Sequence, residues 1–259
     1  MALRRLDAEL VRRGLARSRQ QASELIEAGE VSVSRMVAVK PATQVDEAAP
    51  ITVRAQQREY VSRGAHKLVG PLAAFGVPVE GRRALDAGAS TGGFTQVLLQ
   101  AGAAHVVAVD VGYGQLAWSL RQDPRVTVLD RTNVRHLTVE MLPFAPDLVV
   151  ADLSFISLTK VLPALSAVAD TDADLVLLVK PQFEVGKGQV GKGGVVRDPG
   201  LHAASIRQVA AAAAQAGYGV AGLLPSPLPG PSGNIEFVMW LRRDAPALTD
   251  RAVQEVLSG

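Results

Sequence analysis

The stretch that most constrains this chain runs Arg83-Ala84-Leu85-Asp86-Ala87-Gly88-Ala89-Ser90-Thr91-Gly92-Gly93-Phe94. A short apolar strand passes into a glycine-studded turn, and Thr95 to Leu99 then reads as a helix. Glycines suit such a turn because a side chain would hold the backbone away from a bound cofactor. The turn also aims free helix N–H groups into the space above the strand. Three later apolar runs each end in a residue suited to one site: Asp110 after Val106 to Val109, Asp152 after Leu148 to Ala151, and Lys180 after Leu175 to Val179. Polar residues at the carboxyl ends of successive parallel strands meet in the crevice where such sheets bind ligands. The pattern points to an enzyme.

From Arg82 onward strands and helices alternate, which predicts an α/β fold with a doubly wound parallel sheet. The strand candidates are 83–86, 105–110, 125–129, 147–152, 174–180, 219–224 and 235–241. The last two are separated by the proline-rich loop Pro225 to Gly233 and are expected to pair antiparallel. At 259 residues the chain accommodates one such domain, assigned to residues 61–259, plus a small appendage in residues 1–60.

Charge separates the two. Residues 1–60 carry 10 Lys/Arg and 8 Asp/Glu, whereas residues 61–259 carry 17 of each. Arg4, Arg5, Arg12, Arg13, Arg17 and Arg19 crowd the start of the chain. A basic module beside a neutral larger domain suggests that the first holds a polyanion while the second does chemistry. A solvated helix face is the plainer reading of the same arginines. Leu3, Leu6, Leu10 and Val11 follow a helical period ending at Gly14. Ser18 with Gln21 predicts a capped second helix ending near Gly29, and Val31 to Val33 and Val37 to Val39 read as strands.

Several classes are excluded or disfavoured. Without cysteine there is no disulfide, thiolate metal site or cysteine nucleophile, and no metal-ligand spacing stands out. The apolar run Gln208 to Ile235 is broken by Gly217, Gly219, Gly222, Pro225 and Pro227, so no membrane insertion is expected. The start of the chain lacks the apolar core of a secretory signal, and a cytoplasmic protein is the expectation. Gly186 and Gly191-Lys192 have P-loop spacing, but Gly193 stands where a magnesium-binding Ser/Thr would be. A loop whose Lys187 and Lys192 touch RNA phosphates, or a plain connector, remains for that segment.

Asp86 to Gln96, with its Asp-x-Gly-x-x-x-Gly-Gly-aromatic pattern, resembles the S-adenosylmethionine turn of ribose 2′-O-methyltransferases. On that resemblance Asp86, Gly88, Ser90, Thr91, Gly92, Gly93 and Phe94 form the cofactor turn. Asp110 would accept hydrogen bonds from the cofactor ribose, and Asp130 or Asn133 would border the adenine. A turn or capping carboxylate is the alternative for Asp110 and Asp130. Lys67, Asp152, Lys180 and Glu236 reproduce the Lys-Asp-Lys-Glu order of these enzymes, and Ser62 to Leu68 resembles the lysine-bearing helix of the FtsJ-like group. A ribose hydroxyl must lose its proton as it attacks the methyl. Lys180 is assigned as base, with Lys67 the alternative carrier of the proton, Asp152 and Lys67 as orienting groups, and Glu236 as the anchor; a structural salt bridge is the alternative for each.

Residues 3–53 resemble the S-four RNA-binding domain, with Ser34-Arg35 where that family often has Asn-Gly. An S-four module joined to an FtsJ-like domain is similar to the TlyA family. The resemblance implies a class I, Rossmann-like fold and 2′-O-methylation of cytidine in ribosomal RNA, of the large subunit and in some members the small. It also implies S-adenosyl-L-methionine as donor, ribosomal subunits as partners, and a link to sensitivity towards cyclic peptide antibiotics. Members have also been labelled haemolysins. A membrane-lytic protein and a non-catalytic RNA-binding protein are therefore the rival readings, and the sequence specifies no oligomeric state.

Overall fold

A computed structural model describes residues 3–16, 18–53 and 60–258, and the chain divides into two compact units, residues 1–59 and 60–259. In the first unit, β1 (Leu3–Arg5) runs antiparallel to β4 (Gln44–Asp46), and helices α1 (Leu6–Arg12) and α2 (Arg19–Glu27) follow β1. A second sheet has the order β3 (Met36–Val37), β2 (Val31–Val33), β5 (Ile51–Val53). Leu6, Leu10, Ala22, Ile26, Val31 and Val45 close a small core between the helices and the strands.

The expected first helix begins later than its apolar period suggests. Leu3 lies in β1 and is 64% exposed, because its backbone pairs with Asp46 instead of entering the helix. Ser18 caps α2 as its position predicts, its side chain accepting from the Gln21 N–H at 3.2 Å. The second predicted strand, Val37 to Val39, is shorter and shifted to Met36–Val37, and β4 and β5 are additional. Ser34 and Arg35 both adopt positive φ, 50° and 72°, between the paired Val33 and Met36. This is the two-residue turn geometry that Asn-Gly fills with less strain.

The second unit is built on a seven-stranded sheet. Its strands are β6 (Arg83–Ala87), β7 (His105–Val109), β8 (Val126–Leu129), β9 (Leu148–Ala151), β10 (Asp174–Val179), β11 (Gly219–Pro225) and β12 (Phe237–Arg242). Their spatial order is β11-β12-β10-β9-β6-β7-β8. The first five pair in parallel, and β12 inserts antiparallel between β10 and β11. All seven predicted strands are present within two residues of their predicted ends, including the antiparallel pairing of the last two.

Parallel strands covered on both faces read as unbroken apolar runs, and β9 and β10 are buried at every position. The helices α3 (His66–Phe75), α4 (Gly93–Gln100), α5 (Trp118–Arg121), α6 (Leu162–Val168), α7 (Pro181–Glu184), α8 (Pro199–Gln215) and α9 (Asp250–Ser258) supply the outer layers. One apolar cluster unites β6, β9 and β10 with α6 and α8, and a second unites them with α3 and α4. The result is the predicted class I, Rossmann-like sheet. Strand order reverses between β6 and β9, so the loops after these two strands border a crevice at the carboxyl edge.

Candidate active site

Two adjoining cavities open at that edge. The larger, about 490 Å³, is lined by Gly88, Ser90, Asp110, Asn133 and the loop 152–156. The smaller, about 260 Å³, is lined by the turn residues Ser90, Thr91, Gly93 and Phe94, by the 62–64 turn, and by Lys67 and Lys180. Gly88, Ser90, Asp152 and Ser154 border both.

The glycines do more than leave room for a ligand. A Cβ on Gly88, at φ 88°, would stand 2.8 Å from the carbonyl oxygen of Asp152. On Gly93 it would collide with the Ser62 hydroxyl and lie 2.9 Å from the Ala65 nitrogen. The missing side chains let the β6 turn lie directly against the loop carrying Asp152 and the turn leading to Lys67. Gly92, at φ 98°, is pressed against Leu116 and Leu120 and lines neither cavity.

Asp110 directly follows β7. Its carboxylate accepts the Ser90 N–H at 2.8 Å and the Gly112 N–H at 2.7 Å, which fixes it at the wall of the larger cavity. Leu153, Ile156, Val134 and Val161 add apolar surface there. A fixed carboxylate beside an apolar slot matches a nucleoside, with the diol on the acid and the base in the slot, so the residues present fit S-adenosylmethionine.

Besides Gly92, two expected cofactor residues lie elsewhere. Asp86 sits inside β6, one residue short of its end, fully buried among neighbours of the α4 layer. Its Oδ2 accepts the Thr95 hydroxyl at 2.6 Å, its Oδ1 has no partner among the described residues, and it lines neither cavity. Burial pushes its carboxyl up to about 7, with Asp152 and Asp110 adding smaller contributions of the same sign. Asp130 pairs with Arg121 at 2.8 Å and is likewise absent from the cavity walls, whereas Asn133 lines the larger one. The reason is direct: the Arg121 guanidinium from α5 claims the Asp130 carboxylate.

The four tetrad residues form two ion pairs. Lys67, in the first turn of α3, holds Glu236 at 2.5 Å, and the Glu236 side chain is 0% exposed. Lys180, directly after β10, holds Asp152 at 2.5 Å, and the Asp152 side chain keeps 22% exposure. Lys180 Nζ also donates to Ser154 Oγ at 3.1 Å, and Gln182 Nε2 donates to Glu236 Oε1 at 3.3 Å. One pair is thus a closed strut and the other faces the open space. Sequence reasoning missed Ser154 and Gln182, each two residues from a tetrad member and recruited across loops that only folding brings together.

Five of the six arginines near the start of the chain are engaged. Arg5 and Arg19 both hold buried Asp7 at 2.9 Å, and Arg12 and Arg13 hold buried Glu9 at 2.6 and 2.7 Å. Arg4 pairs with Glu47. Each buried acid therefore anchors two guanidiniums and leaves one positive charge over. Arg17 lies outside the described residues, as do the Lys187 and Lys192 side chains.

Comparison with known proteins agrees with this architecture. Residues 60–243 match the FtsJ-like methyltransferase model and residues 4–50 match the S4 domain model. The 16S/23S rRNA (cytidine-2′-O)-methyltransferase TlyA of Mycobacterium tuberculosis is 65% identical over 96% of this chain and 92% of its own length. Hemolysin A of Brachyspira hyodysenteriae is 37% identical over 90% of this chain and 98% of its own. A solved structure from Streptococcus thermophilus, described as a hemolysin, superposes with a TM-score of 0.78 at 40% identity, covering 100% of this chain and 95% of that one. With the sheet order, the glycine turn and the paired lysines already in place, these likenesses make the chain a member of the FtsJ-like methyltransferase family, in the S4-bearing branch that includes TlyA.

Proposed function

We propose that this protein transfers a methyl group from S-adenosylmethionine to the 2′-hydroxyl of a cytidine in ribosomal RNA. The observation that carries the reading is the junction of the two cavities. The Lys180–Asp152 pair stands where the space bordered by Asp110 meets the space bordered by Lys67. Bound S-adenosylmethionine would supply an electrophilic methyl group on a sulfonium sulfur.

The residues of the chain divide the remaining work. Asp110 would hold the cofactor diol. Lys180, once its own ammonium proton has left to solvent through the open space beside Asp152, would take the 2′-hydroxyl proton as that oxygen attacks the donated methyl. Asp152 and Ser154 fix the Lys180 nitrogen, and Lys67, held by Glu236, lines the same smaller cavity. Alignment of oxygen, methyl and amine supplies most of the acceleration, with effective concentrations on the order of 10⁵ M or more for well-oriented groups.

The first unit contributes affinity. Its two-guanidinium clusters on Asp7 and Glu9 present positive charge in fixed positions, which suits a phosphate backbone. Ribosomal subunits as substrates imply a cytoplasmic site of action.

The relatives named as hemolysins keep a lytic reading in view, although no described helix is long and apolar enough to cross a membrane. The deciding experiment incubates the protein and labelled S-adenosylmethionine with each ribosomal subunit, maps ribose methylation, and measures liposome leakage in parallel. Methyl marks on cytidine without leakage support the proposal. Leakage without methylation refutes it.

A further inference from the structure

Glu184 is a buried carboxylate with no cation beside it among the described residues. Burial pushes its carboxyl above the usual range, so the site is electrostatically costly. Each of its two oxygens nevertheless has a partner. One accepts the Ser157 hydroxyl at 2.5 Å and the other accepts the Leu158 N–H at 2.8 Å. Both partners lie at the far end of the loop that leaves β9 at Asp152.

The near end of that loop is held by Lys180, through Asp152 at 2.5 Å and Ser154 at 3.1 Å. Lys180 and Glu184 bracket a single turn, Lys180 capping α7 and Glu184 ending it. The loop is thus fastened at both ends to one short element. Between the fastenings Phe155 adopts φ 63°, costly for a bulky residue, and is 92% exposed. Its ring stands 5.3 Å from that of Phe183 on the same turn. The loop supplies Asp152 and Ser154 to both cavities, and Phe155 and Ile156 to the larger. A strained segment with an exposed apolar tip keeps one conformation only if its ends are over-determined.

We infer that Glu184 is a positioning residue for the proposed methyl transfer, clamping the 152–158 loop so that Asp152, Ser154 and Lys180 stay in register with the cofactor cavity. The inference rests on that functional reading. Glu184 lines neither cavity and acts through the loop. What the clamp needs is two hydrogen-bonding atoms in fixed places, not a charge. Glutamine satisfies both, its oxygen accepting from Leu158 and its nitrogen donating to Ser157.

The test uses the full chain as wild type, Glu184→Gln, Glu184→Ala and Ser157→Ala. Turnover and KM for ribosomal subunits are measured together with amide hydrogen exchange across 153–159. Glu184→Gln should keep kcat within about 3-fold of wild type. Glu184→Ala should lose about 10-fold or more in kcat, the scale expected when a reacting group drifts by a fraction of an ångström. Faster exchange confined to the loop should accompany that loss. Ser157→Ala should fall between the two and serves as the second variant if Glu184→Ala does not fold. Wild-type kcat and exchange in Glu184→Ala, or in Ser157→Ala where that variant is unfolded, would overturn the inference. So would a Glu184→Gln variant as impaired as alanine. If wild-type protein methylates neither subunit the functional reading falls, while the exchange comparison still judges the clamp.

Discussion

Asp86→Asn isolates the energetic cost of the carboxylate buried beneath the glycine turn. In the folded protein Asp86 titrates at about 7, against ~3.9 in an unfolded chain. The folded state therefore keeps a proton that the unfolded state has already released between those values. A raised acid of this kind costs nothing below pH ~4, and stability falls as pH rises towards 7. Three pKa steps at 1.36 kcal/mol each set the full penalty at about 4 kcal/mol, of which about 2.5 kcal/mol accrues between pH 5 and pH 8.

Asparagine removes the titration. Its oxygen can still accept from Thr95, while its NH₂ would occupy the place of the unpartnered Oδ1, an unmet donor costing about 1–3 kcal/mol. The stability of the variant relative to wild type should therefore rise by about 2.5 kcal/mol between pH 5 and pH 8. Urea unfolding of both proteins at half-unit intervals from pH 5 to 8 measures this. Parallel stability curves would refute the assignment of a raised, buried acid to Asp86.

Three further outcomes follow from other parts of the molecule. Glu236→Gln should destabilise the second unit by roughly 3–5 kcal/mol by leaving Lys67 buried and unpaired. A Lys67→Met/Glu236→Leu double variant should regain most of that loss by urea titration without regaining methyl transfer. Replacing Ser34-Arg35 by Asn-Gly should stabilise the first unit by about 1 kcal/mol, because both residues sit at positive φ; an unchanged melting temperature of that unit would contradict it. Arg19→Ala removes one exposed guanidinium and should reduce the slope of log affinity for ribosomal RNA against log salt by about 0.7–0.9, and an unaltered slope would place the RNA elsewhere.

The sheet was legible because its central strands are buried on both faces, so runs such as Leu175 to Val179 carry no polar interruption until the edge. That edge is where Asp110, Asp152 and Lys180 stand, and the same signal therefore located the site. Asp86 lies in the core and off the cavity walls, a placement not legible because sequence does not distinguish the last residue of a strand from the one before it. Of the paired expectation Asp130 or Asn133, Asn133 lines the larger cavity, while the Asp130 carboxylate is claimed by Arg121, nine residues earlier on a helix of a single turn. The pairing of Arg12 and Arg13 with Glu9 has the i,i+3 and i,i+4 spacing of a helix and was readable in principle. Burial of Glu9 was not. Glu184 and Ser154 left no local trace, since their partners come from loops after different strands and meet only in the folded protein.

The most direct trial of the two-pair site is single-turnover methyl transfer to ribosomal subunits by Lys180→Ala, with S-adenosylmethionine affinity measured on the same preparation. The geometry requires the folded variant to bind the cofactor like wild type and to transfer no detectable methyl. Transfer at the wild-type rate would contradict it, because the amine held by Asp152 and Ser154 would then have no part in the reaction.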